Sequence, residues 1–330
     1  GITIVVETPD NVTENFQQQT AAGGGPDIFI WAHDRIGDWA ENGFLVALSP
    51  PEDIQNSIEK SLWTSTTYEG QVYGYPLSVE GATMLVNTDL ISQNTVDLKR
   101  FSKGKAAPLL WDYNNTYFTY PWLNATGGYA FKQTSTGWDK TDVGVDRQEV
   151  IEQAELLKQL IDDGVIEQGV DYGVMDQRFK QGDVAMILNG PWSWADYEQV
   201  GINFEVRGYR INGHDPRPFA GVLAATVNAN STNQAAAIAF IENYLTTKAG
   251  MSTVNDERSV GVPANLSLLA DFADNESVMA LATVMFNSEP IPNIPEMGAF
   301  WSNMGPALTA ITQGRQTAAE ALADAAQRIR

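Results

Sequence analysis

Ile28, Phe29 and Ile30 form a short apolar run, and Trp31, Ala32, His33, Asp34 and Arg35 follow it at once. A helical pattern then runs from Arg35 to the Asn42-Gly43 stop. A buried strand thus delivers a tryptophan, an acid and an arginine to its own exit. The order recurs in "DVAMILNGPWSW", where an apolar strand is followed by a turn and then by Trp192 and Trp194. Strands separated by helices predict an α/β fold with open, mostly parallel sheets. In such sheets ligands bind outside the carboxyl ends of strands, so residues at a strand exit point at a cleft.

The rest of the chain reads in the same alphabet. Ile2–Glu7 is β-branched and predicts a strand, and residues 11–20 predict a helix leading to the Gly23-Gly24-Gly25-Pro26 turn. A sheet rarely starts this abruptly, which leads us to expect a strand and helix missing before Ile2. "QVYGYPLSVEGATMLVNTDL" predicts two extended segments around Pro76 and Glu80. Residues 147–163 are an amphipathic helix with Val150, Ile151, Ala154, Leu157, Leu160 and Ile161 on one face and Gly164 as its stop. Residues 233–247 predict another helix, ended by Gly250, and Thr317 with Glu320 predicts a capping box opening a final helix. "NTDLISQNTVDLKRFSKGKAAP" has little periodicity and reads as a linker or as a place where residues are absent, with a break expected near 91–97.

The chain has 330 residues, which suit two lobes better than one small core. Its 20 basic and 41 acidic residues give a net charge of −21, a field that repels nucleic acid and anionic lipid and favours a neutral or cationic ligand. With no cysteine, thiol catalysis, disulfides and zinc–thiolate sites are excluded. With two histidines, His33 and His214, so is a histidine-rich metal cage. No G-x-S-x-G elbow, phosphate loop or dinucleotide fingerprint is present, and no metal or cofactor is expected.

What remains is aromatic. Trp31 and Trp192 sit just past strands, Tyr117, Phe118 and Tyr120 lie in "NNTYFTYPW", and Trp301 follows the Pro292–Pro295 turn. Flat rings in a cleft stack on the C–H faces of sugar rings, while carboxylates accept from hydroxyls and arginine donates in a fixed fork. Glu14, Asp34, Arg35 and Glu80 are the candidates for those polar groups. Against this stand ordinary structural roles: Trp39, Trp63, Trp122 and Trp194 as packing residues, Asp34 as a helix N-terminal acid, His33 as a packed, hydrogen-bonded histidine.

Together, "GPDIFIWAHDR", "YPLSVE", "TGGYAFK", "DVGVD", "NGPWSW", "IENYL", "IPNIPEMGAFW" and "GRQTAAEALADAAQRI", in this order from Ile2 to Arg330, resemble the maltose/maltodextrin-binding proteins of bacterial ABC importers. The resemblance implies a two-lobe periplasmic-binding-protein fold that closes over sugar. It places one lobe at about residues 1–78 and 224–271 and the other at about 83–219 and 277–330, with hinge segments near 79–82, 220–223 and 272–276. It carries sugar contact onto Glu14, Trp31, Ala32, Asp34 and Arg35 from the first lobe, onto Glu80 near the hinge, and onto Asn115, Tyr117, Phe118, Tyr172, Trp192 and Trp301 from the second. Asn115 stands where the family has a glutamate, Ile291 replaces a methionine, and Ser302 and Gly305 stand where a tyrosine and an arginine line the site. The family also has a longer segment between the equivalents of Ile91 and Lys105, and a preceding strand and helix whose loop supplies an acid and a lysine.

The expectation is therefore a monomeric, non-enzymatic receptor, periplasmic or lipid-anchored outside the cell, that hands a neutral oligosaccharide of the maltose/maltodextrin type to a membrane ABC importer. The alternatives are the same fold with another oligosaccharide such as trehalose or a β-linked glucan, a glycosidase using Asp34 and Glu80, and a passive fusion partner.

Overall fold

The protein is described here by a computed structural model covering residues 2–91, 96–97, 109–135, 137–211 and 213–330. Two sheets organise it. The first is built from β1 (Ile28–Ala32), β2 (Gly74–Glu80), and strands from much later in the chain. The second takes β3 (Thr83–Asn87), β4 (Leu109–Leu110), β5 (Met186–Asn189) and β6 (Phe204–Arg207) in the order β6-β3-β5-β4. The chain then returns to the first sheet with β7 (Phe219–Val227), β8 (Val262–Pro263) and β9 (Glu289–Pro290), giving the order β1-β7-β2-β8, with β9 beside the start of β7.

The α/β class and the two-lobe architecture hold. The strand directions differ from expectation: among the described residues, antiparallel pairings outnumber parallel ones in these sheets. β1 runs antiparallel to β7, β7 to β2, β2 to β8, β3 to β5 and β3 to β6, whereas only β4–β5 and β7–β9 are parallel. The cause is the crossing chain. A strand–helix–strand repeat gives parallel neighbours, but β1 pairs with β7, whose register runs from Ile28↔Val227 to Ala32↔Leu223. Periodicity in a local window does not carry a partner that far along the chain.

Among the described residues three apolar clusters fill the interior, the largest reaching from the second sheet to Phe219 and Val262 of the first. One cluster gathers Met84, Leu85, Trp111, Trp122, Ile187, Phe300 and Leu322 around the second sheet. Tyr75, Leu77, Val227 and Ile241 fill one side of the first sheet, and Phe16, Ile36 and Trp39 the other. The helices that cover them follow their sequence patterns. Val12–Ala21 (α1) buries Phe16, and Ile36–Glu41 (α2) buries Ile36 and Trp39. Thr116–Asn124 (α3) buries nearly every side chain it carries. Gln148–Asp162 (α4) buries Val150, Ala154, Leu157 and Ile161, with Gly164 left-handed just past its end. Near the carboxyl end, Met297–Thr312 (α5) packs under Ala318–Ile329 (α6), which opens with the Thr317–Glu320 capping box.

Two local expectations fail. Ile2–Glu7 forms no ladder; Ile2, Val5 and Val6 are exposed. Its β-branched composition favours an extended chain, but a strand needs a neighbour to accept its hydrogen bonds. The helix from Gln234 ends at Leu245, not at Gly250, which lies inside the next helix, Lys248–Glu257. There the Thr247 side chain accepts from the Gly250 N–H as an N-cap, and the Tyr244 carbonyl sits where a Cβ at 250 would go. Glycine is needed for that close approach, not as a stop. The expectation for residues 91–105 falls almost wholly outside the described residues. Among the described residues no helix is long and apolar enough to cross a membrane.

Candidate functional site

β1 ends at Ala32, and His33–Arg35 turn as a single 3-10 unit into α2. That turn presents Asp34 towards α5. The Trp301 indole Nε1 donates to Asp34 Oδ2 at 3.0 Å, and Arg35 Nε lies 3.7 Å from the same oxygen. Asp34 is only 6% exposed, and burial pushes its carboxyl up to about 6, an effect that Arg35 and the Trp301 bond reduce in part.

Glu80 closes β2 opposite Gly221 of β7, where Ala32, the Glu80 carbonyl and Ile291 surround a glycine without a side chain. Glu80 is half-buried, and desolvation alone pushes its carboxyl up to about 7. The Tyr117 hydroxyl lies at the Ala82 backbone within the fields of Glu80 and Asp34; burial first, and those two acids after it, push the phenol pKa well up. Tyr117 therefore stays a neutral phenol, able to donate and accept.

Rings line the other wall. Tyr117 is 6.2 Å from Trp192 and 5.5 Å from Phe118, which reaches Trp192 at 6.4 Å and Tyr172 at 5.9 Å, all between ring centroids. Trp192 follows β5 in a 3-10 turn, and its six-membered ring lies so close over Gly190 that no side chain fits beneath it. Trp301 packs edge-on against Phe219 and Phe300.

Of the residues singled out in the sequence, the structure thus brings together Ala32, Asp34, Arg35, Glu80, Tyr117, Phe118, Tyr172, Trp192 and Trp301. Three stand apart. Trp31, one residue from the turn, leans on Phe29 and is 42% exposed. Glu14 is exposed on α1 and accepts from Thr13 Oγ1. Asn115 is exposed, its side chain accepting from Tyr117 N–H as the N-cap of α3. The role of capping is a structural one that a family position alone does not reveal. Trp39, Trp122 and Trp194 are buried, as their sequence setting suggests, and Trp63 packs edge-on against Tyr75.

Sequence reasoning left out Asn293. It sits between two prolines after β9; its Oδ1 accepts from Gly37 N–H at 2.6 Å, and its Nδ2 donates to the Ser65 and Thr67 carbonyls at 2.9 and 3.2 Å. The "PNIP" turn is the one available signal for such a residue, because a polar side chain between two rigid prolines is held in a fixed direction.

Chemically, this cluster offers ring faces, a neutral phenol and two carboxyl groups near the point of titration. Among the described residues no cluster of His, Asp or Glu is disposed to hold a metal ion. Residues 1–281 match the family described as bacterial extracellular solute-binding protein. The galactooligosaccharide-binding protein of Bacillus subtilis (strain 168) is 28% identical over 98% of this chain and 81% of its own length. The maltodextrin-binding protein of the same organism is 26% identical over 94% of this chain and 78% of its own length. A maltooligosaccharide ABC transporter solute-binding lipoprotein of Streptococcus pneumoniae (strain ATCC BAA-255 / R6) is 25% identical over all of this chain and 82% of its own length.

Proposed function

Because the chain belongs to the bacterial extracellular solute-binding proteins, we propose that it captures a neutral oligosaccharide of the maltodextrin type outside the cytoplasm and delivers it to a membrane ABC importer. The observation that carries this reading is the convergence of Asp34, Glu80, Tyr117 and Trp301 from four separate chain segments, with Trp192, Phe118 and Tyr172 alongside. Trp192 and Trp301 stack on pyranose faces, Asp34 and Glu80 accept from hydroxyls, and Tyr117 and Arg35 donate. Ala32 borders the cluster beside Gly221, and Glu14, Trp31 and Asn115 stand outside it, where only the outer units of a longer chain reach them.

The two lobes are residues 1–78 with 224–271, and 83–219 with 277–330. Closure between them is the working motion. A sugar that touches both lobes binds the closed state better than the open one, and that differential affinity shifts the population. The importer reads the closed surface. The receptor works as a monomer, held in a periplasm or by a lipid anchor, and the sugar leaves unchanged.

A galactooligosaccharide is the second reading, favoured by the Bacillus subtilis relative of that name. Titration calorimetry separates the two: maltotriose heat with none from a galactooligosaccharide supports the first, and the reverse supports the second. No heat from either overturns both. Incubation with maltotetraose tests for turnover; new reducing ends would make Asp34 and Glu80 a glycosidase pair, and none are expected.

A further inference from the structure

His33 is 1% exposed, and both of its ring nitrogens are engaged. Nδ1 accepts from the Val222 N–H at 2.9 Å, and Nε2 lies 2.9 Å from the Ile291 carbonyl. Because Nδ1 must offer a lone pair to an N–H, the proton belongs to Nε2, which donates to Ile291; a single neutral tautomer satisfies both partners. Burial, which outweighs the two backbone bonds, lowers the imidazole pKa to about 4 and keeps that state in place at neutral pH.

The two partners lie where two strands part. β7 and β9 pair at Phe219↔Glu289 and Ala220↔Pro290, and the Ile291 N–H donates to the Ala220 carbonyl at 3.3 Å. Beyond that point β7 continues into the first sheet, while Ile291 leads through Pro292 and Pro295 to α5 and Trp301. The strap between them is pinned again by Asn293, and a Cβ at Gly37 would come within 2.9 Å of the Asn293 carbonyl. Segment 33–37 therefore grips segment 291–301 three times: His33 on Ile291, Gly37 on Asn293, and Asp34 on Trp301. The first two are made to backbone or by backbone. The third joins two side chains at the edge of the groove, where a sugar hydroxyl competes for the same carboxylate.

We propose that His33 is a positioning residue that holds Ile291 as the pivot of groove closure, so that the lobes turn about that point and the Asp34–Trp301 contact opens and closes with them. This rests on the reading of the groove as a sugar site. Without the grip on Ile291, the strap slackens and Trp301 loses its register with Asp34.

Two substitutions separate this role from mere packing, since each keeps one of the two bonds. His33→Asn can set its amide oxygen where Nδ1 was, for Val222, but is too short to reach Ile291, and His33→Gln can set its amide NH2 where Nε2 was, for Ile291, but leaves the Nδ1 position facing Val222 without an acceptor. Thermal melts establish that each is folded, and calorimetry with the sugar that binds the unaltered protein gives the affinity. The expected result is an affinity about tenfold weaker for His33→Asn, the equivalent of ~1.4 kcal/mol, with His33→Gln within about threefold of the unaltered protein. Equal effects in the two variants, or the reverse order, overturn the proposal. If His33→Asn does not fold, a tenfold loss in His33→Gln overturns it and retained affinity supports it. If the unaltered protein binds no sugar, the sugar reading fails on its own. The pivot is then judged by small-angle scattering of ligand-free protein: a larger radius of gyration in His33→Asn than in His33→Gln supports it, and identical profiles overturn it.

Discussion

The two strand exits that carry the candidate site residues are built alike and furnished differently. β1 passes through a 3-10 turn into α2 and a left-handed Gly43; β5 passes through a 3-10 turn into the helix Trp194–Gln199 and a left-handed Gly201. The first turn carries His33, Asp34 and Arg35, with Asp34 buried against an indole N–H. The second carries Pro191, Trp192 and Ser193, with Trp192 flat over a glycine and beside two more rings. One local architecture thus supplies polar acceptors on one wall and apolar faces on the other. A ligand with hydroxyl edges and C–H faces meets both needs at once, and neither an anion nor a plain hydrocarbon does.

The most severe way to break that division is to remove the buried acceptor. Asp34→Ala is expected to weaken sugar binding by about 1.5–3 kcal/mol, the range for a hydrogen bond to a charged group, as read by calorimetry; an unchanged affinity would take Asp34 out of the site. Trp192→Ala on the opposite wall is expected to cost about 1–3 kcal/mol for the lost stacked ring, and no change there would mean that the indole serves packing alone. Gly190→Ala tests the same wall without deleting the ring. The added methyl must push Trp192 off its floor, so affinity should fall by about 1 kcal/mol, within the usual cost of overpacking; equal affinity would show that the ring position is not used.

The acidic wall also predicts a pH signature. Asp34 and Glu80 titrate higher in the folded protein, at about 6 and 7, than carboxyls do in an unfolded chain. Their contribution to stability is fully present below about pH 4 and is lost as pH rises through 6 to 7. His33 acts in the opposite sense: its folded pKa of about 4 lies below the unfolded value, so its contribution is present above about pH 6.5 and lost as pH falls through 4. Glu80→Gln should therefore melt progressively higher relative to the unaltered protein between pH 5 and pH 8, by a few degrees at most. A constant difference across that range would place Glu80 in free solvent. The smallest effect is expected at Glu14, exposed on α1: Glu14→Gln should change maltotriose binding by less than about 0.5 kcal/mol, and a larger loss would extend the groove to that helix.

Much of this division could be read from the chain. The motif of apolar run, turn and ring or charge marks both strand exits, and helical periodicity finds Gln148–Asp162 and the capped final helix. The turn after β1 was marked out, but which of its residues faces inward was not: Trp31 is exposed and Asp34 buried. A strand exit loses its two-residue alternation once the backbone coils into a 3-10 turn, so side-chain direction there no longer follows from position. Strand direction is not legible locally, because β1 pairs with a segment from a later pass of the chain. Asn293 and the partners of His33 were invisible for the same reason, since backbone groups far apart in sequence leave no local pattern.

The indole–carboxylate bond has a consequence for any donor that approaches Asp34. That carboxylate oxygen already accepts from the Trp301 indole, so another donor must compete with it for the same atom. Weak or poorly aligned donors are turned away at that threshold.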